Sequence, residues 1–199
     1  SKFNSIELME VDNINNASVI KSLKSKKINI IFSISSRWIF NKHFIDSFKS
    51  QTLNIHAGYL PRERGSTVYP KILNNIKTAG VTIHLIVPAI DAGPILLKKQ
   101  KNIVVETLTI DLLTKINIQI SEELLKIFLD RIINRIEIKE TNQEAEKGFF
   151  MPQSYTEVNG FIDWNWLVGH VESFIRAFGP PMPGAATFYK GDKVRILEA

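Results

Sequence analysis

The sequence predicts an α/β fold: an open, Rossmann-like, mostly parallel sheet with flanking helices. Three observations predict it. Short β-rich apolar runs stand at residues 28–34, 52–56 and 80–87, and helix-spaced apolar segments alternate with them. Two turn-rich stretches, NIHAGYLPRERG (54–65) and DAGP (91–94), open in or just after these strands. A chain of 199 residues is long enough to bury one core of this kind.

The elements follow in order. ASVIKSLKSKK (17–27) sets Val19, Ile20 and Leu23 at helical spacing and ends in lysines, which suit the negative pole of a helix. INIIFSI reads as buried strand, Phe40 to Phe48 as a short helix and TLNIH as the next strand. Ser66 is expected to cap a helix running to Thr78, with Ala79-Gly80 ending it. GVTIHLIV is strand, stopped by Pro88, and ILLKKQKNIV returns as an extended, antiparallel segment near an edge, its lysines solvated. From Thr107 to Lys139, positions such as Leu113, Ile116, Ile120, Leu124 and Phe128 make a helical layer, with Ser121 as a candidate restart. The charged KETNQEAEKGFF (139–150) carries no strong element signal, so the core is placed at 1–140 and a C-terminal extension at 141–199. In the extension, WNWLVGHVESFIRAF is an amphipathic helix capped by Asp163, GPPMPG breaks it, and ATFYKGDKVRIL forms a hairpin around a Gly-Asp turn. A lone hairpin is marginal, so it must lie on the core or begin a further domain.

Composition narrows the function classes. The chain is 44% hydrophobic and 23% charged with a net charge of +5, a balance that suits anionic ligands without naming one. Having no cysteine, it has no disulfide scaffold, thiolate metal site or cysteine nucleophile, and this suits the cytosol. No apolar run approaches about 18 residues, and the N-terminus has no signal-peptide pattern. A cytoplasmic protein with no membrane partner and no metal is expected. Neither GxxxxGK[ST] nor GxGxxG occurs, which argues against a nucleotide hydrolase or a dinucleotide enzyme.

Asn54 and His56 are two apart in a strand, so their side chains share a face while Ile55 points the other way. Ligands of open α/β sheets collect beyond the carboxyl ends of strands, and Asp91 follows the next strand, so amide, imidazole and carboxylate are expected to converge from neighbouring strand ends. Such a trio suits acyl transfer to an amine. Imidazole accepts the proton the amine sheds, amide and imidazolium stabilise the carbonyl oxygen, and the carboxylate either fixes the ring's tautomer or holds a water that relays protons. Each residue alone also has a plainer reading: His56 as a satisfied core histidine, Asn54 as a strand end and Asp91 as a turn former. Arg62 and Arg64, flanking Glu63, are either a solvated loop or a grip on phosphate or carboxylate. Arg176 snorkels or is paired, His84 packs in the core, and His43 and His170 belong to helices.

NIHAGYLPRERG, GVTIHLIVPAIDAGPIL (80–96) and IDWNWLVGHVESFIRAFGPPMPGA (162–185) together resemble the formyltransferases that use 10-formyltetrahydrofolate. The paired patterns N-x-H…LP…RG and G-x-T-x-H…D-x-G carry the resemblance, which covers residues 25–199. It implies Asn54, His56 and Asp91 as the catalytic set. It also implies a pterin pocket beside Ser36, Arg37, Trp38 and Ile39, mostly through backbone, with Ile90 and Asp91 as the far wall; Trp38 equally fits a packing role. Tyr59, Arg62, Arg64 and Gly65 are the expected acceptor contacts, Tyr59 either stacking on a base or sugar or packing in its loop. The family's sheet opens with a strand, a helix and another strand that Ser1 follows, so those N-terminal elements are expected to be missing. After the His, the family often reads Pro-Ser-Leu-Leu-Pro, where this chain has Ala57-Gly58-Tyr59-Leu60-Pro61.

The tRNA-modifying members continue into a C-terminal barrel after the Pro-rich segment, whereas this chain ends one hairpin later, and +5 is modest for gripping RNA. The glycinamide ribonucleotide branch typically lacks the IDW…IRAF…PGA block. The expected acceptor is therefore the primary amine of a nucleotide-linked amino sugar. Formylation of methionyl-tRNA, hydrolysis of the formyl donor and a non-catalytic fragment of the fold are the alternatives, and a homo-oligomer stays open.

Overall fold

The computed structural model describes residues 7–49 and 52–199. Helix α1 (Ala17–Ser25) leads into strand β1 (Ile31–Ile34), α2 (Lys42–Ser47), β2 (Thr52–His56), β3 (Arg64–Gly65), α3 (Val68–Leu73), β4 (Thr78–Leu85) and β5 (Ile95–Asn102). The long α4 (Ile110–Ile133) follows, then β6 (Phe150–Met151), α5 (Thr156–Asn159), α6 (Val168–Phe178) and the hairpin β7 (Ala185–Tyr189) and β8 (Asp192–Ile196). No helix among the described residues is long and apolar enough to cross a membrane.

The central sheet has the order β1-β2-β4-β5. The expected parallel pairing holds between β1 and β2, whereas β4 runs antiparallel to both β2 and β5. The connection from His56 to Thr78 leaves and re-enters at one end of the sheet, so it needs no crossover. One face of β2 and β4 carries Leu53, Ile55, Val81 and Ile83, which pack with Leu113, Ile120, Leu124 and Phe128 of α4. The other face is polar, with Asn54 opposite His84 and His56 opposite Thr82. Because β4 is buried on both faces, its sequence alternates poorly.

Several boundaries differ from expectation for local reasons. Ser66 does not cap α3: its N–H donates to Met151 O beside the β3–β6 ladder, which holds it one residue ahead of the helix, and Thr67 takes the N-cap position. That helix ends at Leu73, with Asn75 in the left-handed region, so Ala79 and Gly80 lie inside β4 rather than ending a helix. Helix α4 runs unbroken through Ser121, whose hydroxyl donates back to Asn117 O at 2.7 Å. Asp163 accepts from the N–H of Asn165 in a local turn and leaves Leu167 to begin α6, so Leu167 and Val168 are exposed. The hairpin turns at Lys190-Gly191, both at positive φ, which matches the twist of its strands. It lies on the core through buried Ala185 and Ala186.

Arg176 ties the late helix to the core. Its Nη1 donates to Val105 O at 2.7 Å and Leu108 O at 3.3 Å, the turn that leads into α4. Arg176→Met strands two carbonyls and is expected to destabilise the protein by about 1–3 kcal/mol. A thermal melt of the two proteins checks this, and an unchanged midpoint would remove the bracing role.

Candidate active site

The polar face of the sheet meets a returning loop. Since β4 is antiparallel, its end lies beside Leu53, at the far end of β2 from His56. The expected convergence of two strand carboxyl ends is thus replaced by a doubling back. Leu85 N donates to Pro94 O at 2.9 Å, closing residues 86–93 into a loop, and a Cβ on Gly93 would run into Leu85 O. Asp91 sits in that loop at φ 48°, a left-handed conformation that Asp tolerates, with its carboxylate over the sheet. The trio meets as expected from the residue types. Asn54 Nδ2 donates to Asp91 Oδ1 at 3.1 Å, and His56 Nδ1 lies 3.5 Å from Asp91 Oδ2. The N–H of Gly65 also donates to Asp91 Oδ2, at 2.9 Å.

The hydrogen bonds decide the tautomers. His56 donates from Nε2 to Glu63 O at 2.6 Å, so Nδ1 is its free nitrogen. His84 donates from Nδ1 to Leu85 O at 2.8 Å and accepts from Asn54 Nδ2 at 3.2 Å. Flipping the Asn54 amide would set two oxygens face to face beside Asp91, so both of its hydrogens are committed, one to Asp91 and one to His84. Burial pushes the His56 pKa below its ordinary value against the attraction of Asp91, which leaves the ring neutral at neutral pH. Burial also pushes Asp91 up, but contact with His84, the facing His56 and the Gly65 N–H outweigh it and hold the carboxyl at about 2. The site is thus a neutral imidazole with a free Nδ1 facing a permanent carboxylate.

Three members of this site escape a linear reading. His84, expected as packing, joins it because the β2–β4 register sets it opposite Asn54. Glu63, hidden between two arginines, is buried and holds His56 through its carbonyl. Gln143, from a stretch without element signal, donates to Asp91 O at 2.9 Å and Gly93 O at 2.6 Å. Its Oε1 accepts from Arg64 Nη2 at 2.8 Å, so Arg64 braces the site from the side. Period-2 alternation puts His84 on one face with Thr82, but only the β2–β4 pairing brings that face to Asn54; nothing in spacing points to Gln143.

The remaining expected contacts scatter. Arg62 is exposed and lies over the Tyr59 ring at 5.6 Å, with Lys98 Nζ above the same ring at 4.3 Å. Ser36, Arg37 and Trp38 line a concavity of about 480 Å³ past the end of β1, with Phe32, Ile34 and Phe40 among its apolar walls. Arg37 lies 5.3 Å from the Trp38 ring, and the Ser36 hydroxyl accepts from Trp38 N. Ile39 and Ile90 are exposed and do not line this concavity. No group of His, Asp and Glu among the described residues is arranged to hold a metal ion.

Residues 5–132 match the formyl transferase family model, and residues 155–199 match the formyl transferase C-terminal domain. The bifunctional polymyxin resistance protein ArnA of Wigglesworthia glossinidia brevipalpis is 30% identical over 94% of this chain and 28% of its own length. The methionyl-tRNA formyltransferase of Thermotoga neapolitana is 30% identical over 96% of this chain, which spans 60% of that relative. An N-formyltransferase from Helicobacter canadensis, solved with folinic acid and dTDP-3-aminofucose, superposes with a TM-score of 0.65 at 28% identity, covering 75% of this chain and 54% of that one. A sugar N-formyltransferase from Shewanella sp. FDAARGOS_354 shares the fold, with a TM-score of 0.77 at 23% identity over 92% of this chain and 74% of that one. With the family model matching well over half of its length, the chain belongs to the formyl transferase family.

Proposed function

We propose that the protein transfers a formyl group from 10-formyltetrahydrofolate to the primary amine of a nucleotide-linked amino sugar. The observation that carries the chemistry is a neutral, buried His56 with Nδ1 free beside an ionised Asp91. As the amine attacks the formyl carbon, His56 takes its proton at Nδ1. The imidazolium that results lies between Glu63 O and the Asp91 carboxylate, both of which favour it. Asn54 holds Asp91 in register and turns an amide N–H to the developing oxyanion only by releasing Asp91 or His84. When the leaving nitrogen departs, His56 returns the proton.

The formyl donor supplies an activated one-carbon acyl group, and the apolar concavity at Ser36, Arg37 and Trp38 suits its flat ring. Ile39, next to Trp38 in sequence, and Ile90, next to Asp91, are assigned to the donor side as exposed apolar contacts. Tyr59, Arg62, Arg64 and Gly65 are assigned to the acceptor side, where Arg62 offers an exposed cation to a phosphate. The Helicobacter neighbour, solved with folinic acid and a nucleotide-linked amino sugar, supports this acceptor. The methionyl-tRNA formyltransferase relatives support a second reading, formylation of methionyl-tRNA.

The test is a transfer assay with the full chain, 10-formyltetrahydrofolate and a panel of nucleotide-linked amino sugars, read by mass spectrometry. A mass gain of one formyl group on a sugar is expected. Formylation of methionyl-tRNA alone would assign the second reading, and formate release without any amine would replace transfer by hydrolysis.

A further inference from the structure

Behind His56 lies an ion pair that the chemistry does not touch. Lys71, from α3, is 1% exposed and donates from Nζ to Glu63 Oε1 at 2.7 Å and to Thr78 O at 2.8 Å. The second carboxylate oxygen of Glu63 accepts from Tyr59 N at 2.8 Å, and its backbone carbonyl accepts from His56 Nε2. Lys71 therefore reaches His56 through one residue, which it fixes from α3 and from the start of β4.

We infer that Glu63 and Lys71 are a positioning pair for His56, the buried ammonium holding Glu63 so that its carbonyl fixes the imidazole as the Nε2–H tautomer. Nδ1 is then the basic nitrogen, and it faces Asp91. This rests on the role proposed above for His56. Two further observations support it. A Cβ on Gly58 would fall on both His56 Nε2 and Glu63 O, so the loop leaves that position bare where the hydrogen bond forms. Burial also lowers the Lys71 pKa despite the attraction of Glu63, with Arg62 lowering it further, so desolvation outweighs the pair's attraction. The pair supplies geometry rather than net stability from charge.

The experiment compares the wild type, Lys71→Met and the double variant Glu63→Gln/Lys71→Met. Thermal melts are measured on each, together with kcat, KM and ¹⁵N spectra of the imidazoles, with His56→Gln assigning the His56 signals. Lys71→Met leaves Glu63 charged and unpaired, and is expected to lose stability and to show both neutral tautomers of His56. The double variant regains stability because no buried charge is left alone. Under this inference it still shows mixed tautomers and a kcat lowered about ten- to a hundredfold, with KM unchanged. If the double variant recovers kcat along with stability, or if His56 stays a single Nε2–H tautomer in Lys71→Met, the pair is structural only. The spectra report on the pair even in a protein that transfers no formyl group, so failure of the proposed reaction is read separately.

Discussion

His56→Gln is expected to lower kcat by about 10²- to 10⁴-fold while the protein stays folded. Glutamine can donate from its amide to Glu63 O, as Nε2 of the imidazole does, so the loop keeps its anchor. It has no group that accepts a proton near neutral pH. The substitution therefore separates the chemical role of the ring from its packing, which a change to Ala does not. The pH profile gives a second handle. His56 must be neutral to accept a proton, and burial holds its pKa below the ordinary 6.5. Activity is then retained as pH falls through 6.5 and is lost only at the lower, folded pKa. A rate profile in buffers spanning the acid range checks this, alongside circular dichroism of the variant. Turnover near wild type in His56→Gln would take the ring out of the reaction.

Much of the fold was legible because period and punctuation agree. Val19, Ile20 and Leu23 mark α1, TLNIH marks β2, and the lysine-rich antiparallel edge strand is where the sequence puts it. Helix starts were less legible, since a capping side chain is identified by its partner and not by its type. Ser66 and Asp163 carry the right chemistry, yet the β3–β6 ladder holds Ser66 one residue ahead of the N-cap and Asp163 accepts from Asn165 in a local turn. The trio of Asn54, His56 and Asp91 was legible as residue types at known spacing, but its geometry depends on long-range register. Asp91 returns over the sheet only because the 86–93 loop closes on itself, and His84 enters only because β4 is antiparallel. Gln143 lies 52 positions beyond Asp91, and its side-chain hydrogen bonds all run to residues far away in sequence, so local pattern holds no trace of it.

Asp91→Asn is expected to lower kcat by about 10²-fold or more and to move the acid limb of activity further down. The carboxylate accepts from Asn54 at one oxygen and from Gly65 at the other, so an amide in its place sets a donor against a donor on one side. Losing the negative charge removes the attraction that counters the burial of His56, and the imidazolium forming during transfer goes without its counter-ion. The same residue predicts a stability signature of fixed sign. Its folded pKa, about 2, lies below the ordinary 3.8, so the ionised group stabilises the fold above pH 3.8. That contribution fades as pH falls from 3.8 toward about 2. Denaturant unfolding of wild type and Asp91→Asn should thus differ at neutral pH and converge through that acid window. A gap that stays constant through the window would mean that Asp91 acts by shape and not by charge, and an unmoved acid limb would uncouple it from His56.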